Sequence, residues 1–213
     1  MATIRLLSGP MAIDDDGSTM YAVSGEDAEG NTIKLGHGDA FDVAVMDPEY
    51  PGYYVWACHE TSNLPANIEL HDARKGQLLF GWGKNKDTGR SRAADIDPTY
   101  PGYELWGSTA TVPMNIGGEK IADGFNEFYT RLSDGTYQMN EDGTYMQGTL
   151  PMNFKIYWDG DLLSEFLDGI RVSKWNWTDK VIEVLFDADG CASNCGTKAV
   201  PCAAADLFGD WRD

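Results

Sequence analysis

The sequence contains no run of about 18 apolar residues, the length at which a helix can cross a bilayer. Its first residues, MATIRLLSGP, also lack the charged start and the continuous apolar core of a secretory signal peptide. We therefore expect no membrane-spanning helix, no membrane partner and no cleavable leader within these 213 residues.

Basic residues are scarce. Sixteen lysines and arginines stand against 34 aspartates and glutamates, which gives a formal net charge of −18 at pH 7. A nucleic-acid groove needs lysine and arginine side chains along the phosphate backbone. The charge balance therefore argues against a nucleic-acid partner.

Cysteine is also scarce, with four residues in the chain. Cys58 stands alone, whereas Cys191, Cys195 and Cys202 lie close together. Four thiols are too few for a disulfide scaffold, and the spacing of the last three, without a nearby histidine, is not the usual zinc pattern. A local disulfide among those three and free thiols both remain open.

The acidic residues that are present gather in short turns. These turns are Asp14-Asp15-Asp16-Gly17, Asp95-x-Asp97, Asp159-Gly160-Asp161 and Asp187-x-Asp189-Gly190. Aspartate is common in turns for conformational reasons alone, but closely spaced carboxylate oxygens also suit Ca²⁺. Taken together the turns favour calcium, with Asp95, Asp97, Asp159 and Asp161 as predicted ligands.

One stretch occurs twice. Residues 42–60 (DVAVMDPEYPGYYVWACHE) and 92–110 (RAADIDPTYPGYELWGSTA) align without a gap, at an offset of 50 residues. Each copy has an apolar run, a tight Asp-Pro-x-Tyr-Pro-Gly turn and a second apolar run that contains a tryptophan. A period of this size is typical of the blades of a β-propeller. The repeat predicts an all-β fold.

Closed propellers have roughly 4–8 blades, and at about fifty residues per blade this chain supplies only about four. We therefore expect residues 1–213 to form one partial β-propeller catalytic domain that is not closed and belongs to a longer protein. Residues 110–150, with weak alternation, are expected to form a long loop insertion or irregular hairpin. Elsewhere the alternation predicts strands at 67–71, 77–82, 152–158, 170–177 and 181–186.

Large aromatic and histidine side chains have two interpretations. Trp56, Trp106 and Trp158 fit a sugar-binding surface, but their positions favour the core between blades. His59 and His71 have no motif context and are expected to be exposed or structural.

Five segments follow one another in the order of a known family, over nearly the whole chain. They are 36–40 (GHGDA), 87–106 (DTGRSRAADIDPTYPGYELW), 157–163 (YWDGDLL), 196–199 (GTKA) and 205–212 (ADLFGDWR). In these segments the chain resembles the rhamnogalacturonan lyases of polysaccharide lyase family 11. The segments are long and contain tryptophan, which makes the resemblance more specific than a single short motif.

The resemblance implies a calcium-dependent, eight-bladed propeller that is secreted. Such enzymes cleave the rhamnogalacturonan I backbone of pectin between rhamnose and galacturonate by β-elimination. This chain would cover the middle and later blades, and its parent would supply the missing upstream and downstream blades. The resemblance also marks residues 110–150 as longer than the family's usual connection.

The resemblance further implies which residues do the chemistry. Lys198 is expected to accept the proton and Arg90 to stabilise the carboxylate or enolate, although the two roles could be exchanged. Cys195, Gly196 and Thr197 would bind substrate. Cys195 stands where the family tends to carry asparagine, and Ser91 and Arg92 stand where it usually has glycine, so substrate preference or activity could differ.

A metal site is implied as well. His37, Asp39 and Glu60 would bind Ca²⁺, with the histidine as an unusual nitrogen ligand for a hard cation. A histidine that only hydrogen-bonds the backbone is the alternative. A different function also stays open: a non-catalytic, calcium-binding propeller segment that binds carbohydrate or protein through exposed tyrosine and tryptophan rings.

Overall fold

The computed structural model describes most of the chain. The described residues are 3–6, 10–26, 29–61, 64–83, 87–109, 112–121, 129–146, 148, 150–188 and 204–205. Within these ranges every regular element is a β-strand, which confirms the all-β prediction. The same ranges contain no helix long and apolar enough to cross a membrane. The chain divides into two compact units, of which the first is Met1–Ala93, Leu105–Ala110 and Ile116–Gly118 and the second holds the rest.

Strands β1 to β9 lie in the first unit. A three-stranded antiparallel sheet comprises β1 (Thr3–Leu6), β2 (Pro10–Ile13) and β3 (Thr19–Ala22), and a two-stranded sheet comprises β4 (Gly25–Glu26) and β5 (Thr32–Ile33). A four-stranded antiparallel sheet follows in chain order, with β6 (Phe41–Ala44), β7 (Tyr54–Cys58), β8 (Ile68–Asp72) and β9 (Leu78–Trp82).

The first copy of the repeated stretch connects β6 to β7. The Asp47 side chain accepts a hydrogen bond from the backbone N–H of Glu49 (2.9 Å), and the Asp47 carbonyl accepts one from that of Tyr50 (3.2 Å). Every residue of β7 is buried, because β7 lies between β6 and β8 in the sheet and carries apolar side chains on both faces. The core of this unit therefore lies on β7 and β8.

The second copy forms the paired strands β10 (Ser91–Ala94) and β11 (Glu104–Gly107). Equivalent residues of the two copies contact each other: the indole N–H of Trp56 donates to the Trp106 carbonyl at 3.0 Å, and Arg92 pairs with Asp42 at 3.1 Å. Both pairs are separated by 50 residues. Contacts of this kind join one repeat to the next. Trp56 and Trp106 are buried, as expected, whereas the core prediction is wrong for Trp158, which is 42% exposed.

The second unit contains a five-stranded sheet in the order β12-β16-β15-β14-β13. Its strands are β12 (Thr130–Arg131), β13 (Phe154–Ile156), β14 (Glu165–Asp168), β15 (Arg171–Asn176) and β16 (Val181–Asp187). β12 is parallel to β16, and the other pairs are antiparallel. None of the described sheets closes on itself, so the propeller stays a prediction.

Candidate functional site

The first candidate metal group consists of His37, Asp39 and Glu60. The imidazole Nε2 of His37 lies 3.2 Å from a Glu60 oxygen, and its Nδ1 lies 3.8 Å from an Asp39 oxygen. One ligand atom from each residue fits within a 4.8 Å span. The structure therefore brings together the three residues that the resemblance implied, in an exposed position.

Local backbone geometry holds this group in place. The N–H of Glu60 donates to the His37 carbonyl at 2.9 Å, which joins the His37 loop to the end of β7. A Cβ on Gly38 would overlap the carbonyl oxygen of Cys58, and a Cβ on Gly36, whose φ is 76°, would overlap the Thr61 hydroxyl. Only glycine allows this close approach at both positions.

Arg90 lies in a segment next to the same group. The N–H of Thr88 donates to the His59 carbonyl at 3.2 Å, and a Cβ on Gly89 would lie 3.3 Å from Oε1 of Glu60. The Arg90 carbonyl accepts a hydrogen bond from Ser108, and its side chain is exposed. Its charge is therefore available to a ligand, unlike that of Arg92, which pairs with the buried Asp42.

Two histidines near this group are structural. The buried Glu69 carboxylate bonds to Nε2 of His59 at 3.1 Å and to Nε2 of His71 at 3.0 Å. Burial acts to raise the pKa of Glu69, but the hydrogen bonds from both histidines outweigh it and lower the pKa to about 2. Of the two interpretations left open for His59 and His71, the structural one is correct.

The second candidate metal group lies in the second unit and consists of Asp159, Asp161 and Glu165. One oxygen of each fits within 4.8 Å. Lys174 Nζ lies 3.1 Å from an Asp159 oxygen, at the edge of a cleft of about 160 Å³. The hydroxyl of Ser164, which lines this cleft, is buried and has no hydrogen-bond partner among the described residues. An all-oxygen group of this kind fits Ca²⁺ better than one containing imidazole.

Glu165, which the sequence did not indicate, has a structural counterpart in Glu104. Both are fully buried at the start of the returning strand of a hairpin. Glu104 accepts the N–H groups of Ile96 (2.9 Å) and Asp97 (3.0 Å), and Glu165 accepts that of Trp158 (2.7 Å). The recurring signal is a glutamate that follows an aspartate turn, seven residues after Asp97 and four residues after Asp161.

Both glutamates are crowded by other carboxylates. Burial first, and then the charges of Asp95 and Asp97, raise the pKa of Glu104 to about 8, against its two amide hydrogen bonds. Burial and the neighbouring Asp159 and Asp161 raise the pKa of Glu165 to about 7. A bound cation or a bound proton reduces the electrostatic repulsion among such carboxylates.

The predicted ligands Asp95 and Asp97 have different surroundings. Burial raises the pKa of Asp95, and the charge of Asp161 adds to this. The Asp95 carbonyl accepts the N–H of Ser164 at 2.7 Å, which places Asp95 next to the second group. Asp97 is completely buried, and one of its oxygens meets Lys180 at 2.8 Å and the indole N–H of Trp175 at 3.2 Å. The structure brings Asp97 into neither three-residue group.

The remaining predicted residues are Lys198, Cys195, Gly196 and Thr197. They lie outside the described residues, as do Cys191 and Cys202. Their roles and the pairing of the cysteines therefore stay predictions.

Glu104 provides a test by pH. Its folded-state pKa is raised from 4.5 to about 8, so its contribution to stability is complete below pH 4.5 and is lost as the pH rises to about 8. In wild type the free energy of unfolding should fall over this interval, and Glu104→Gln should reduce the fall. The measurement is urea unfolding at pH 5 and pH 8 with chelator present. Glu141→Gln, at an exposed position, is the control and should lose as much free energy of unfolding between pH 5 and pH 8 as wild type does. The same loss in Glu104→Gln would contradict the raised pKa of Glu104.

Known proteins resemble this chain over nearly its whole length. A family model for the C-terminal domain of rhamnogalacturonan lyase family 11 matches residues 3–213. Rhamnogalacturonan endolyase YesW of Bacillus subtilis is 38% identical over 211 residues, covering 98% of this chain and 28% of the relative. Rhamnogalacturonan exolyase YesX of the same organism is 33% identical over 217 residues, covering 98% and 31%.

Comparison with solved structures indicates the same family. The crystal structure of YesW matches with a TM-score of 0.70 at 37% identity, covering 99% of this chain and 32% of that chain. The chain thus spans about three tenths of the length of the curated relatives it matches. On the match over residues 3–213 we conclude that the chain belongs to the rhamnogalacturonan lyase family 11 C-terminal domain.

Proposed function

We propose that this chain is part of a secreted lyase that cleaves the rhamnogalacturonan I backbone of pectin, between rhamnose and galacturonate, by calcium-assisted β-elimination. The observation that carries the proposal is the His37, Asp39 and Glu60 group, with the Arg90 segment beside it. In the parent protein the sheets would be blades of a propeller, and the activity would belong to that whole protein. The two relatives named above, an endolyase and an exolyase of rhamnogalacturonan, support the proposal.

The chemistry explains why cations are needed. β-Elimination removes a proton from the carbon beside the uronate carboxylate, and negative charge then develops on that carboxylate as an enolate. The enolate expels the glycosidic oxygen on the next carbon, the C–O bond breaks, a carbon–carbon double bond forms, and the departing oxygen takes up a proton. Preplaced cations stabilise this charge, which matters in a chain whose net charge of −18 repels a polyanionic substrate. Arg90 would bind the uronate, and Lys198 would take the proton if neighbouring positive charge lowers its pKa.

Calcium would be held by both three-residue groups. Bound at the first group, the ion would supply a positive charge that neutralises the uronate. Asp39 and Glu60 offer two carboxylates with the imidazole of His37, and Asp159, Asp161 and Glu165 offer three carboxylates. The exposed position of the first group suits contact with a substrate, whereas the second, which contains the buried Glu165, suits a structural ion.

Calcium titration tests the two groups separately. Glu60→Gln should remove one binding event and Glu165→Gln another, because the first loses one of two carboxylate ligands and the second one of three. Isothermal titration calorimetry of the intact protein, after chelator treatment, gives the stoichiometry. Asp142→Asn, at an exposed turn outside both groups, should bind as wild type does. Full stoichiometry in both glutamate variants would refute the metal assignment.

A second function is favoured by one observation. Trp158 and Phe186 are both exposed and stack at 6.2 Å between ring centroids, with an angle of 25° between the rings. Such a surface suits the apolar face of a sugar, as expected for a non-catalytic calcium-binding segment that binds carbohydrate or protein. Binding of pectin in calcium, without any unsaturated product, would favour this alternative over the lyase.

A further inference from the structure

Residues 129–146 contain a second, much shorter repeat. Asp134-Gly135-Thr136-Tyr137 returns eight residues later as Asp142-Gly143-Thr144-Tyr145. In each copy the aspartate side chain accepts hydrogen bonds from both the N–H and the hydroxyl of the threonine. The two turns are therefore built in the same way.

Tyrosines hold the turns together. Tyr129, Tyr137 and Tyr145 are spaced by eight residues, and their ring centroids lie 5.3 to 6.4 Å apart. Bridges between Arg131 and Tyr137 and between Met139 and Tyr145 add backbone pairing. We call residues 129–146, which carry these three tyrosines, the tyrosine ladder. It fixes a segment that the sequence predicted to be a long loop or irregular hairpin.

The residues that follow each ladder tyrosine point to a cleft. Thr130, Gln138 and Met146 line one wall of a cleft of about 280 Å³. Side chains of β15 and β16, among them Ser173 and Ile182, line the rest of the cleft, and Thr130 is the register partner of Ile182 in the same sheet. The eight-residue period thus places a hydroxyl, an amide and a thioether in a row beside β16, because the N–H of Gln138 donates to the Thr130 carbonyl at 2.9 Å and that of Met146 to the Gln138 carbonyl at 2.8 Å.

Three polar side chains that line this cleft are available to a ligand. The side chains of Thr130, Gln138 and Ser173 make no hydrogen bond to any part of the chain that the structure describes. Met146, Ile182 and Val184 add apolar surface between them. Donors and acceptors spaced over an apolar surface match a ligand with hydroxyl groups and apolar faces.

The charged groups that line the cleft indicate whether its ligand is charged or neutral. The basic group in the described lining is Arg171, whose Nε already bonds to Asp187 at 2.6 Å, and Asp168 adds a negative charge. The net charge of the chain is also negative. A uronate carboxylate would meet no unpaired cation here, so the ligand should be neutral.

We propose that the cleft lined by the tyrosine ladder and by β15–β16 binds one neutral sugar residue of the polysaccharide. The volume lies just below the range of about 300–1,000 Å³ that is typical of small-molecule pockets, and therefore suits a single sugar. The choice of a polysaccharide rests on the proposed function. The lining residues of the cleft belong to the second unit, whereas Arg90 and the first metal group belong to the first.

The test is titration of the intact protein with L-rhamnose, D-galactose and D-galacturonate, followed by NMR chemical shifts. At least one neutral sugar should bind saturably at the cleft, and galacturonate should bind more weakly. Gln138→Leu removes the amide and should weaken binding about fivefold. Gln138→Trp fills the cleft and should abolish binding. Gln77→Leu, an exposed amide of the other unit, is the matched control.

Several results would overturn the inference: no saturable neutral sugar, galacturonate bound equally well, or both Gln138 variants binding as wild type does. Because the assay needs no turnover, its failure is separate from that of the proposed function. A protein that cleaves rhamnogalacturonan but binds no neutral sugar refutes only the cleft. A protein that binds the sugar but forms no unsaturated product refutes only the lyase.

Discussion

In the whole parent protein, Arg90→Ala is expected to lower kcat on rhamnogalacturonan I by about 10²- to 10³-fold, the usual loss when one group that stabilises a developing charge is removed. The Arg90 side chain is exposed, and its segment lies against Glu60, so its charge can reach a uronate held near the first metal group. The rate is measured from the near-ultraviolet absorbance of the unsaturated product. Lys198→Ala should have an effect at least as large if that side chain takes the proton.

Matched controls separate this effect from a general change in charge. Arg74→Ala removes an exposed arginine from a turn of the same unit and should leave kcat unchanged. Arg92→Ala, two positions from Arg90, breaks a partly buried pair with Asp42 and should act mainly on stability. A wild-type rate in both Arg90→Ala and Lys198→Ala would show that the catalytic assignment is wrong.

The strands could be predicted because their signal is local. Alternation around the Asp-Pro-x-Tyr-Pro-Gly turn placed β7 and β11, and the pattern at 170–177 and 181–186 matched β15 and β16 within one residue at each boundary. The repeat also predicted that Trp56 and Trp106 are core residues, because a duplicated tryptophan on a buried strand serves the contact between copies. Trp158 has no such partner position, and it is exposed.

The buried polar contacts could not be predicted in the same way. Asp97 meets Lys180 across 83 residues, and Glu69 links two histidines, contacts that depend on strand register and packing. The duplicated stretch even diverges at this level. Tyr54 of the first copy donates to Asp47 at 3.4 Å, whereas Glu104 of the second accepts backbone N–H groups instead. Equivalent positions of the two copies therefore differ in charge and in hydrogen bonding.

The candidate metal groups could be predicted from the sequence in part. Gly36-His37-Gly38-Asp39 is a local motif, but Glu60 comes from beyond β7 and meets His37 through one backbone bond and one side-chain contact. Asp159 and Asp161 were visible as an aspartate turn, and Glu165 was not, because its burial depends on the β13–β14 hairpin. Sequence reasoning therefore indicated five of the six residues in the two candidate groups and missed the buried Glu165.

Trp56→Ala should destabilise the first unit by about 3–5 kcal/mol, the usual cost of removing a fully buried tryptophan. Its ring lies 6.0 Å from that of Phe80, and its indole N–H bonds to Trp106, so the change leaves a cavity and removes the bond between the repeats. Trp56→Phe keeps most of the volume and should cost less, with about 1 kcal/mol from the lost hydrogen bond.

Urea unfolding followed by circular dichroism measures both variants in the intact protein. Trp177→Ala, at an exposed position of the second unit, provides the control and should change the free energy of unfolding by less than about 1 kcal/mol. A loss no larger in Trp56→Ala than in Trp177→Ala would mean that the repeats are not held together through this tryptophan.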